Sequence, residues 1–281
     1  MASSGVIYSA YHKRFPIPKA DFLLPIHVGR ASSAVTKDGK IAAEELQWLR
    51  DHMIGDDTGD NISDRNREYC ECTGLYWFWK NYNYSALNYV GAFTYRRQLI
   101  LNDFFEKAAD TPEKIKYKCA HLKRSKDVFA LAGITEEKIT ELLSRYDCIV
   151  PYPSPIELIN VYSLYEEYAK KISGVHITDL LALEDVLKSK HPDQAQKFRD
   201  YLSATNKMMY QIFITKPELF DDYCTWLFDL LFAVDPLVDS SLYTVNGRRT
   251  MGYLAELLYG FYFTHLVPAE KVLRTGVALL D

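Results

Sequence analysis

The chain has 281 residues, of which 48% are hydrophobic and 25% are charged. Such a composition is typical of a globular protein with a sizeable core, and it excludes a largely disordered chain and a small disulfide-stapled scaffold. Lysine and arginine number 33 against 37 aspartates and glutamates, so the net charge of −4 offers no basic excess for binding nucleic acid.

The first part of the chain alternates between predicted strands and helices. The pattern predicts strands at residues 5–10 and 25–29, a helix at 41–54, a helix at 68–81 and a strand at 89–95. Asp64 or Asn66 is the predicted N-cap of the second helix. Because the last strand runs directly into Arg96 and Arg97, this order is typical of an α/β sheet that binds ligands at the carboxyl ends of its strands.

The rest of the chain is predicted to be mostly helical. Its pattern indicates short strands at residues 147–150 and 210–215, and helical segments at 111–145, 156–169, 178–201, 218–232 and 250–265. No internal repeat and no long linker rich in Pro, Gly or Ser separates these segments. We therefore predict one mixed α/β domain over residues 1–281, with a helical C-terminal portion.

The cysteines and the N-terminus indicate the compartment. The five cysteines are irregularly spaced, and no basic region followed by an apolar run opens the chain, which predicts a reducing, cytoplasmic location. Cys70 and Cys72 would point about 200° apart on a helix, so they are predicted to be packed thiols and not metal ligands. No apolar stretch reaches the roughly 20 residues that a membrane helix needs.

Two polar segments of the first half carry candidate binding groups. Residues 56–63 concentrate three carboxylates, an amide and two hydroxyls before a predicted helix, so this loop could hold a diphosphate, a ribose or a divalent ion. The alternative is a solvated turn whose side chains only cap the helix. Arg96 and Arg97 are suited to bidentate binding of phosphate oxygens, or else they are surface ion-pair partners.

Three polar positions of the second half are candidates for catalysis. His176 and Asp179 lie three residues apart, which suits an acid and base pair on one helix face, or else they are helix caps. Glu256 lies in an apolar helix pattern, where an unpaired carboxylate is costly. It therefore either pairs with Arg248 or Arg249, or it faces a cleft. Common signatures such as the P-loop, GxGxxG, HExxH and GxSxG are absent.

Three motifs resemble a bacterial family that is catalogued as a domain of unknown function. They are DDTGDNIS at residues 56–63, YCExTxLYWxWKN at 69–81 and YVGxxxYRR at 89–97. The likeness extends upstream to IYSAYHK and PIHVG and downstream to HITDL, QIFITKPELFDDYCTWLF and RRTMGYLAELL, so it covers nearly the whole chain. The family occurs in capsular, exopolysaccharide and O-antigen gene clusters and includes glycosyltransferases, some of them associated with galactofuranose transfer.

The resemblance implies a GT-A-like fold and a sugar transfer reaction. The donor would be a nucleotide-diphosphate sugar, expected to be a UDP-sugar with UDP-galactofuranose as one candidate, and the acceptor a glycan or a lipid-linked glycan. Residues 1–110 would form the nucleotide-binding half and residues 111–281 the helical, acceptor-side half. The enzyme would work in the cytoplasm, and its apolar C-terminal helices could contact the inner membrane face.

The resemblance also implies site residues. The expected donor-binding residues are His12, Lys13, Asp57, Asp60, Asn61, Ser63, Asn66, Glu71, Tyr95, Arg96, Arg97, His176, Gln211 and Arg249. Glu256 is the first candidate, and Asp179 the second, for a carboxylate near the anomeric carbon that would deprotonate the acceptor hydroxyl or stabilise charge. Arg96 and Arg97 stand where many GT-A enzymes carry a metal-binding DxD, so they would neutralise the leaving diphosphate without a metal. A divalent Mn or Mg ion is an option that the sequence does not require.

The chain departs from the family pattern at a few positions. It has Thr94 where His is usual, Gln98 and Leu99 in place of an aromatic pair, Gln211 in place of Asn and Leu257 in place of Arg. These changes bear on the choice of donor or acceptor more than on the fold. The central expectation is that the acidic loop and the arginine pair converge on one pocket.

Two other functions compete with the transferase. A non-catalytic carbohydrate-binding or scaffold protein of a polysaccharide assembly complex would use the surface of a chain that contains 21 tyrosines. A metal-dependent hydrolase would use the aspartates of the loop. Nucleotide binding and chelator sensitivity distinguish the three.

Overall fold

A mixed sheet forms the centre of the protein in the computed structural model, which describes residues 4–33, 35–36, 39–40, 42–103, 118–123, 125–241 and 243–281. Within these residues the main sheet has nine strands in the order β12-β9-β13-β7-β6-β1-β2-β5, and β8 pairs with β13 outside this path. The strands are β1 (Gly5–Tyr11), β2 (Leu23–His27), β3 (Val35–Thr36), β4 (Gly39–Lys40), β5 (Ile54–Gly55), β6 (Tyr89–Thr94), β7 (Arg97–Ile100), β8 (Cys119–Leu122), β9 (Cys148–Pro151), β10 (Ser154–Pro155), β11 (Asn206–Lys207), β12 (Phe213–Thr215) and β13 (Val272–Leu280).

Helices cover both faces of this sheet. They are α1 (Ala43–His52), α2 (Asn66–Tyr69), α3 (Cys72–Asn81), α4 (Val128–Leu131), α5 (Glu136–Leu143), α6 (Leu164–Lys171), α7 (Ile177–Lys190), α8 (Ala195–Leu202), α9 (Pro217–Val234) and α10 (Thr250–Phe261). A π-helical turn, Tyr262–Leu266, comes directly after α10. In the part of the chain that the structure describes, none of the helices is both long and apolar enough to cross a bilayer.

The strands β5, β2, β1 and β6 run parallel to one another. All residues of β1 and of β6 are buried, as expected for parallel strands that helices cover on both faces. β7 then turns back antiparallel to β6, and β13 pairs antiparallel with β7 and parallel with β9. The predicted mixed α/β architecture is therefore confirmed.

Side chains of the central strands alternate between two hydrophobic layers. Tyr8 of β1 belongs to the larger layer, with α3, α7, α9 and α10, and its ring stacks on Phe78 at 5.1 Å between centroids. Its neighbour Ile7 belongs to the opposite layer, with Leu49 of α1 and Ile139 of α5. This alternation results from the two-residue period of a strand, and it locks the register of β1.

The helix predicted at residues 68–81 is in fact two helices. Cys70 has a left-handed φ of 52°, which ends α2 before α3 begins two residues later. The Asn66 amide, expected to cap a single helix, instead donates to the Cys70 carbonyl at 2.6 Å and to the Thr73 hydroxyl at 2.9 Å. The side chain therefore stabilises the break between α2 and α3.

Other expectations for the second half need correction. The helix predicted at 178–201 ends at Lys190 and begins again at Ala195, because Pro192 has no N–H to continue the ladder. The helix predicted at 156–169 begins only at Leu164 and ends at Lys171, as α6. Residues 111–117 of the segment predicted as helical lie outside the described residues, and the chain beyond them forms β8 and then α4 and α5.

The C-terminal part of the chain is less helical than expected. The long strand β13 was not predicted, and it lies in the middle of the main sheet between β9 and β7. The strands β8, β9, β12 and β13 all come from beyond residue 111, so both halves of the chain contribute to one sheet.

Candidate active site at the carboxyl edge of the sheet

The order of the parallel strands creates a crevice at one edge of the sheet. From β1 the chain moves to β2 and β5 on one side, and it then returns to β6 on the other side of β1. In open α/β sheets, ligands bind outside the carboxyl ends of strands at such a switch point. His12 and Lys13 come directly after β1, and Tyr95 and Arg96 come directly after β6, so four predicted donor-binding residues border this crevice.

Three of these side chains lie around the buried ring of Tyr95. The His12 Nε2 atom lies 3.5 Å from the Tyr95 hydroxyl, and the two rings meet edge to face at 5.1 Å. The Lys13 Nζ atom and the Arg96 guanidinium carbon lie 5.9 Å and 5.6 Å from the centre of the Tyr95 ring. The ends of β1 and β6 therefore present two cations and an imidazole together.

Arg97 and Glu256 meet at Tyr210. The Arg97 guanidinium carbon lies 4.6 Å from the centre of the Tyr210 ring, and the Tyr210 backbone N–H donates to Glu256 Oε1 at 3.0 Å. Tyr210 and Gln211 both have left-handed backbones, with φ of 79° and 44°. This conformation costs non-glycine residues about 1–2 kcal/mol each, and such strain is concentrated at functional sites in proteins. It also explains why the strand predicted from residue 210 begins only at Phe213.

Glu256 pairs with a lysine and not with the arginines that the sequence suggested. The Lys207 Nζ atom lies 3.0 Å from Glu256 Oε2 and 3.0 Å from Glu167 Oε2. Burial alone would raise the pKa of Glu256, but Lys207, the Tyr210 N–H and Arg97 together hold it below its usual value. For Lys207 burial acts in the opposite direction and lowers the pKa, but the carboxylates of Glu256 and Glu167 more than reverse this effect. Both groups are therefore charged at neutral pH.

Arg249, another predicted donor-binding residue, contacts the thiol of Cys70. Its Nε atom lies 3.1 Å from Cys70 Sγ, and its guanidinium carbon lies 5.3 Å from the centre of the Tyr253 ring. Burial raises the pKa of the Cys70 thiol to about 11, so the thiol is neutral. Burial also raises the pKa of Cys72 well above its usual value, and its thiol donates to Gln211 Oε1 at 3.5 Å. Both cysteines are packed thiols, as predicted.

A small cavity of about 10 Å³ lies at the base of the crevice, and by size it holds one water molecule. Two predicted donor-binding residues, Glu71 and Gln211, line it beside Thr94. The Thr94 hydroxyl is buried and has no hydrogen-bond partner among the described residues. The remaining lining residues are Tyr8, Ala10, Cys72, Leu75 and Phe93.

The start of the acidic loop stabilises the neighbouring turn. Asp56 is fully buried, and its carboxylate accepts hydrogen bonds from the backbone N–H groups of Gly29 at 2.8 Å and Arg30 at 3.0 Å. The Ser63 hydroxyl donates to the same carboxylate and accepts from the Ala31 N–H at 3.1 Å. Because these bonds occupy the side chain of Ser63 inside the protein, the structure argues against the direct donor contact that was predicted for it.

The rest of the loop is also held by its own contacts. Asp60 accepts a hydrogen bond from the Tyr76 hydroxyl at 3.0 Å, and Asn61 accepts one from the Ser63 N–H at 3.2 Å. Asp57, which is exposed, lies close enough to Arg30 to raise the pKa of that guanidinium, although burial lowers it more.

The loop and the arginine pair share one edge but do not touch. The loop comes after β5 and the arginines come after β6, and these two strands are three strand spacings apart, roughly 14 Å. Both groups therefore lie at the same edge of the sheet, and their convergence on one pocket stays a prediction.

Asp179 and His176 belong to a separate, structural network. Asp179 is 3% exposed, and its two oxygens accept hydrogen bonds from the hydroxyls of Tyr243 and Thr250, each at 2.8 Å. The His176 ring stacks on Tyr243 at 4.5 Å. Both carboxylate oxygens are occupied in the interior, which argues against the catalytic role predicted for Asp179 and leaves Glu256 as the candidate carboxylate.

Replacing Asp179 by alanine should therefore destabilise the fold. The change leaves the buried Thr250 hydroxyl and the half-buried Tyr243 hydroxyl without this acceptor and removes two bonds to a charged group, so we expect the free energy of unfolding to fall by about 2–4 kcal/mol. Chemical denaturation followed by circular dichroism measures it. Asp185→Ala removes an exposed carboxylate of the same helix, α7, and should leave stability nearly unchanged. An Asp179→Ala variant as stable as this control would contradict the structural role.

The described residues contain no group of three or more His, Cys, Asp and Glu side chains that could hold a metal ion. The cationic groups at the carboxyl edge are instead suited to an anionic ligand.

Comparison with known proteins gives two matches. A family model described as a domain of unknown function (DUF4422) matches residues 6–267. The solved apo structure of WbbM, a bifunctional glycosyltransferase, is similar over 99% of this chain, with 25% sequence identity and a TM-score of 0.83. The similarity covers 45% of the WbbM chain, so this chain spans less than half the length of that protein. Among curated proteins, none matches this sequence.

Proposed function

The chain belongs to the DUF4422 family, and from this membership and the geometry of the carboxyl edge we propose that it is a glycosyltransferase that uses a nucleoside diphosphate sugar. The observation that carries the proposal is the meeting of Arg97 and Glu256 at Tyr210, beside the cluster of His12, Lys13 and Arg96. Cations suited to a diphosphate thus lie next to a carboxylate suited to the sugar. The fold shared with a bifunctional glycosyltransferase supports the same reaction class.

The proposed reaction moves the sugar from phosphate to a hydroxyl. The acceptor oxygen forms a bond to the anomeric carbon, and the bond between that carbon and the phosphate oxygen breaks. The electron pair leaves with the nucleoside diphosphate, and the hydroxyl proton passes to a base or to solvent. Arg96 and Arg97 would stabilise the charge that grows on the leaving diphosphate, since guanidinium groups stay charged and bind phosphate oxygens in pairs.

Glu256 would act on the other reacting group, the sugar ring. Glycosyl transfer passes through an oxocarbenium-like state, which a nearby carboxylate stabilises. Because its pKa is held below the usual value, Glu256 is a weak base and a permanent negative charge at neutral pH. This favours electrostatic stabilisation over deprotonation of the acceptor as its main role.

The identity of the substrates is the finer part of the proposal. The family resemblance supports a UDP-sugar donor, with UDP-galactofuranose as one candidate, and a glycan or lipid-linked glycan acceptor in capsular, exopolysaccharide or O-antigen synthesis. Such an enzyme would act in the cytoplasm at the inner membrane face. With Arg96 and Arg97 at the diphosphate, the reaction needs no Mn or Mg ion.

Binding of UDP is the first test. A ligand at a hundredfold excess over its Kd stabilises the folded state by about 2.7 kcal/mol, so UDP should raise the melting temperature by roughly 5 °C or more. The rise should be the same with manganese and with a chelator. Uridine, which lacks the diphosphate, is the matched ligand and should give a much smaller rise.

Each rival function predicts a different result. A carbohydrate-binding scaffold would respond to sugars and not to UDP. A metal-dependent hydrolase would release free sugar without an acceptor, and a chelator would stop it. The absence of any response to UDP, with or without manganese, would contradict the transferase proposal.

A further inference from the structure

A buried lysine holds the candidate catalytic carboxylate. Lys207 lies in β11, and its side chain is only 5% exposed. Its Nζ atom reaches Glu256 of α10 at 3.0 Å and the two oxygens of Glu167 of α6 at 3.0 Å and 3.1 Å. Three segments distant in sequence therefore contribute one cation and two anions to a single buried cluster.

This cluster is not what stability alone would favour. Bringing charged groups out of water costs several kcal/mol per ion, and a well-packed apolar side chain of similar size often serves stability as well or better. The arrangement does give Glu256 a fixed geometry, because Oε2 bonds to Lys207 while Oε1 accepts the Tyr210 N–H. The Glu256 side chain is nevertheless 21% exposed, so the cluster does not enclose it completely.

We propose that Lys207, supported by Glu167, is a positioning residue that keeps the Glu256 carboxylate ionised and oriented for reaction with the donor sugar. The inference rests on the proposed function, since it assigns a role to Lys207 only through Glu256. Lys207 itself touches neither substrate nor the reacting atoms. Glu167 supplies the second negative charge that keeps the buried lysine protonated between two carboxylates.

Among the described residues, the titratable groups that face Glu256 from the elements packed around it are Lys207, Arg97, Tyr210, Tyr201, Cys70 and Cys72, with Glu167 across Lys207 and Tyr253 and Tyr259 on its own helix. The thiols and phenols are neutral at pH 7, because burial raises their pKa values. Lys207 and Arg97 are thus the cations of this set, and Lys207 is the one in direct contact.

The test is the pH dependence of sugar transfer by Lys207→Met. Without the lysine, Glu256 and Glu167 share a buried site with no cation between them, so the Glu256 carboxyl should hold its proton to higher pH. We expect the acidic limb of the kcat profile to move up by about one pH unit or more. At pH 7, kcat should fall by about tenfold or more while KM for the donor changes by less than about threefold.

Conservative variants separate positioning from simple packing. Lys207→Arg keeps the charge and should restore the acidic limb and most of kcat. In Glu167→Gln, Glu256 is the one carboxylate still paired with Lys207. The acidic limb of the kcat profile of this variant should therefore lie at lower pH than in the unchanged protein. Lys190→Met removes a lysine that pairs with Asp229 on the surface, and it should leave the whole profile unchanged.

The measurement is release of UDP from UDP-galactofuranose and UDP-galactose, with simple alkyl glycosides as acceptors, alongside thermal melting of each variant. An unshifted acidic limb in folded Lys207→Met would overturn the inference, as would a Lys207→Arg variant no better than Lys207→Met. If Lys207→Met does not fold, an unmoved limb in Glu167→Gln overturns it instead. No transfer by the unchanged protein from any UDP-sugar would overturn the proposed function, and this inference with it.

Discussion

Replacing Arg96 and Arg97 together by alanine should lower kcat/KM for sugar transfer by at least about a thousandfold. Each lost group that stabilises developing charge costs an enzyme roughly 10²–10³ in rate, and here both cations beside the leaving diphosphate are removed. Of the two cations that the structure describes over the Tyr95 ring, Lys13 would remain, at 5.9 Å from the ring centre, and it cannot bind two phosphate oxygens in parallel. Steady-state kinetics with UDP-sugar donors measure the loss.

The double variant should still fold. The backbone of Arg97 pairs with Thr94 in β6 and with Leu279 in β13, and alanine keeps both pairings. The side chains of both arginines lie over tyrosine rings and are partly exposed, so their removal buries no unpaired charge.

A matched control removes two cations elsewhere. Lys138 and Arg145 both pair with Glu141 on the exposed side of α5, and replacing the two cations by alanine should leave kcat/KM unchanged. An intermediate rate is expected for replacement of Arg96 and Arg97 by lysine, which keeps charge but loses the planar fork. Near-normal transfer by the double alanine variant would remove the arginines from the mechanism.

Glu256→Gln should lower kcat by about 10²–10⁴, with binding of UDP retained. The amide keeps the size of the side chain and can still accept the Tyr210 N–H, but it has no charge to stabilise an oxocarbenium-like sugar. Lys207 keeps Glu167 as its counter-ion, so no buried charge is left unpaired and the fold persists. Single-turnover kinetics and UDP titration separate the chemical step from binding.

The pH dependence of the unchanged protein provides a second check on Glu256. Its pKa is lower than that of an ordinary glutamate, so it loses its negative charge only as the pH falls through that lowered value. Transfer should therefore persist at about pH 5, where an ordinary glutamate is already partly protonated. The ionised Glu256 also stabilises the fold. This stabilisation is complete above the pKa that Glu256 has in the unfolded chain, and it is lost as the pH falls through the lower pKa of the folded protein.

The control for Glu256→Gln is Glu218→Gln. Glu218 is an exposed glutamate in the first turn of α9, and its replacement should leave kcat unchanged. A Glu256→Gln variant that transfers sugar at the normal rate would show that the carboxylate takes no part in the reaction.

Several elements could be predicted from sequence because their signals are local. The buried runs that became β1 and β6 and the apolar period of α9 stand out in any short window. The strand β13 was missed because its sequence, VLRTGVALL, mixes polar and apolar residues without a clear period. It becomes a central strand only through pairing with β7, β8 and β9, which are distant in sequence.

The same distinction applies to the candidate site. The strand-end pattern predicts Arg96, whereas His12, Lys13 and Tyr95 come from the family resemblance. All four lie directly after β1 or β6, at the edge that the carboxyl ends of parallel strands share. Lys207 gave little signal, since a single lysine before two methionines has the pattern of an ordinary surface residue. Its burial depends on carboxylates from two helices that no local pattern could assign to it.

Local signals in the sequence predict β1, β6 and the polar residues that follow them, because hydrophobic period and turn chemistry act over a few neighbouring residues. The partners of each carboxylate are set by the folded chain. Asp179 lies buried between the hydroxyls of Tyr243 and Thr250, and Glu256 has a lysine partner from another segment of the chain. The charge state and orientation of a carboxylate depend on groups within a few ångströms in space, and folding brings those groups together from distant positions in the chain.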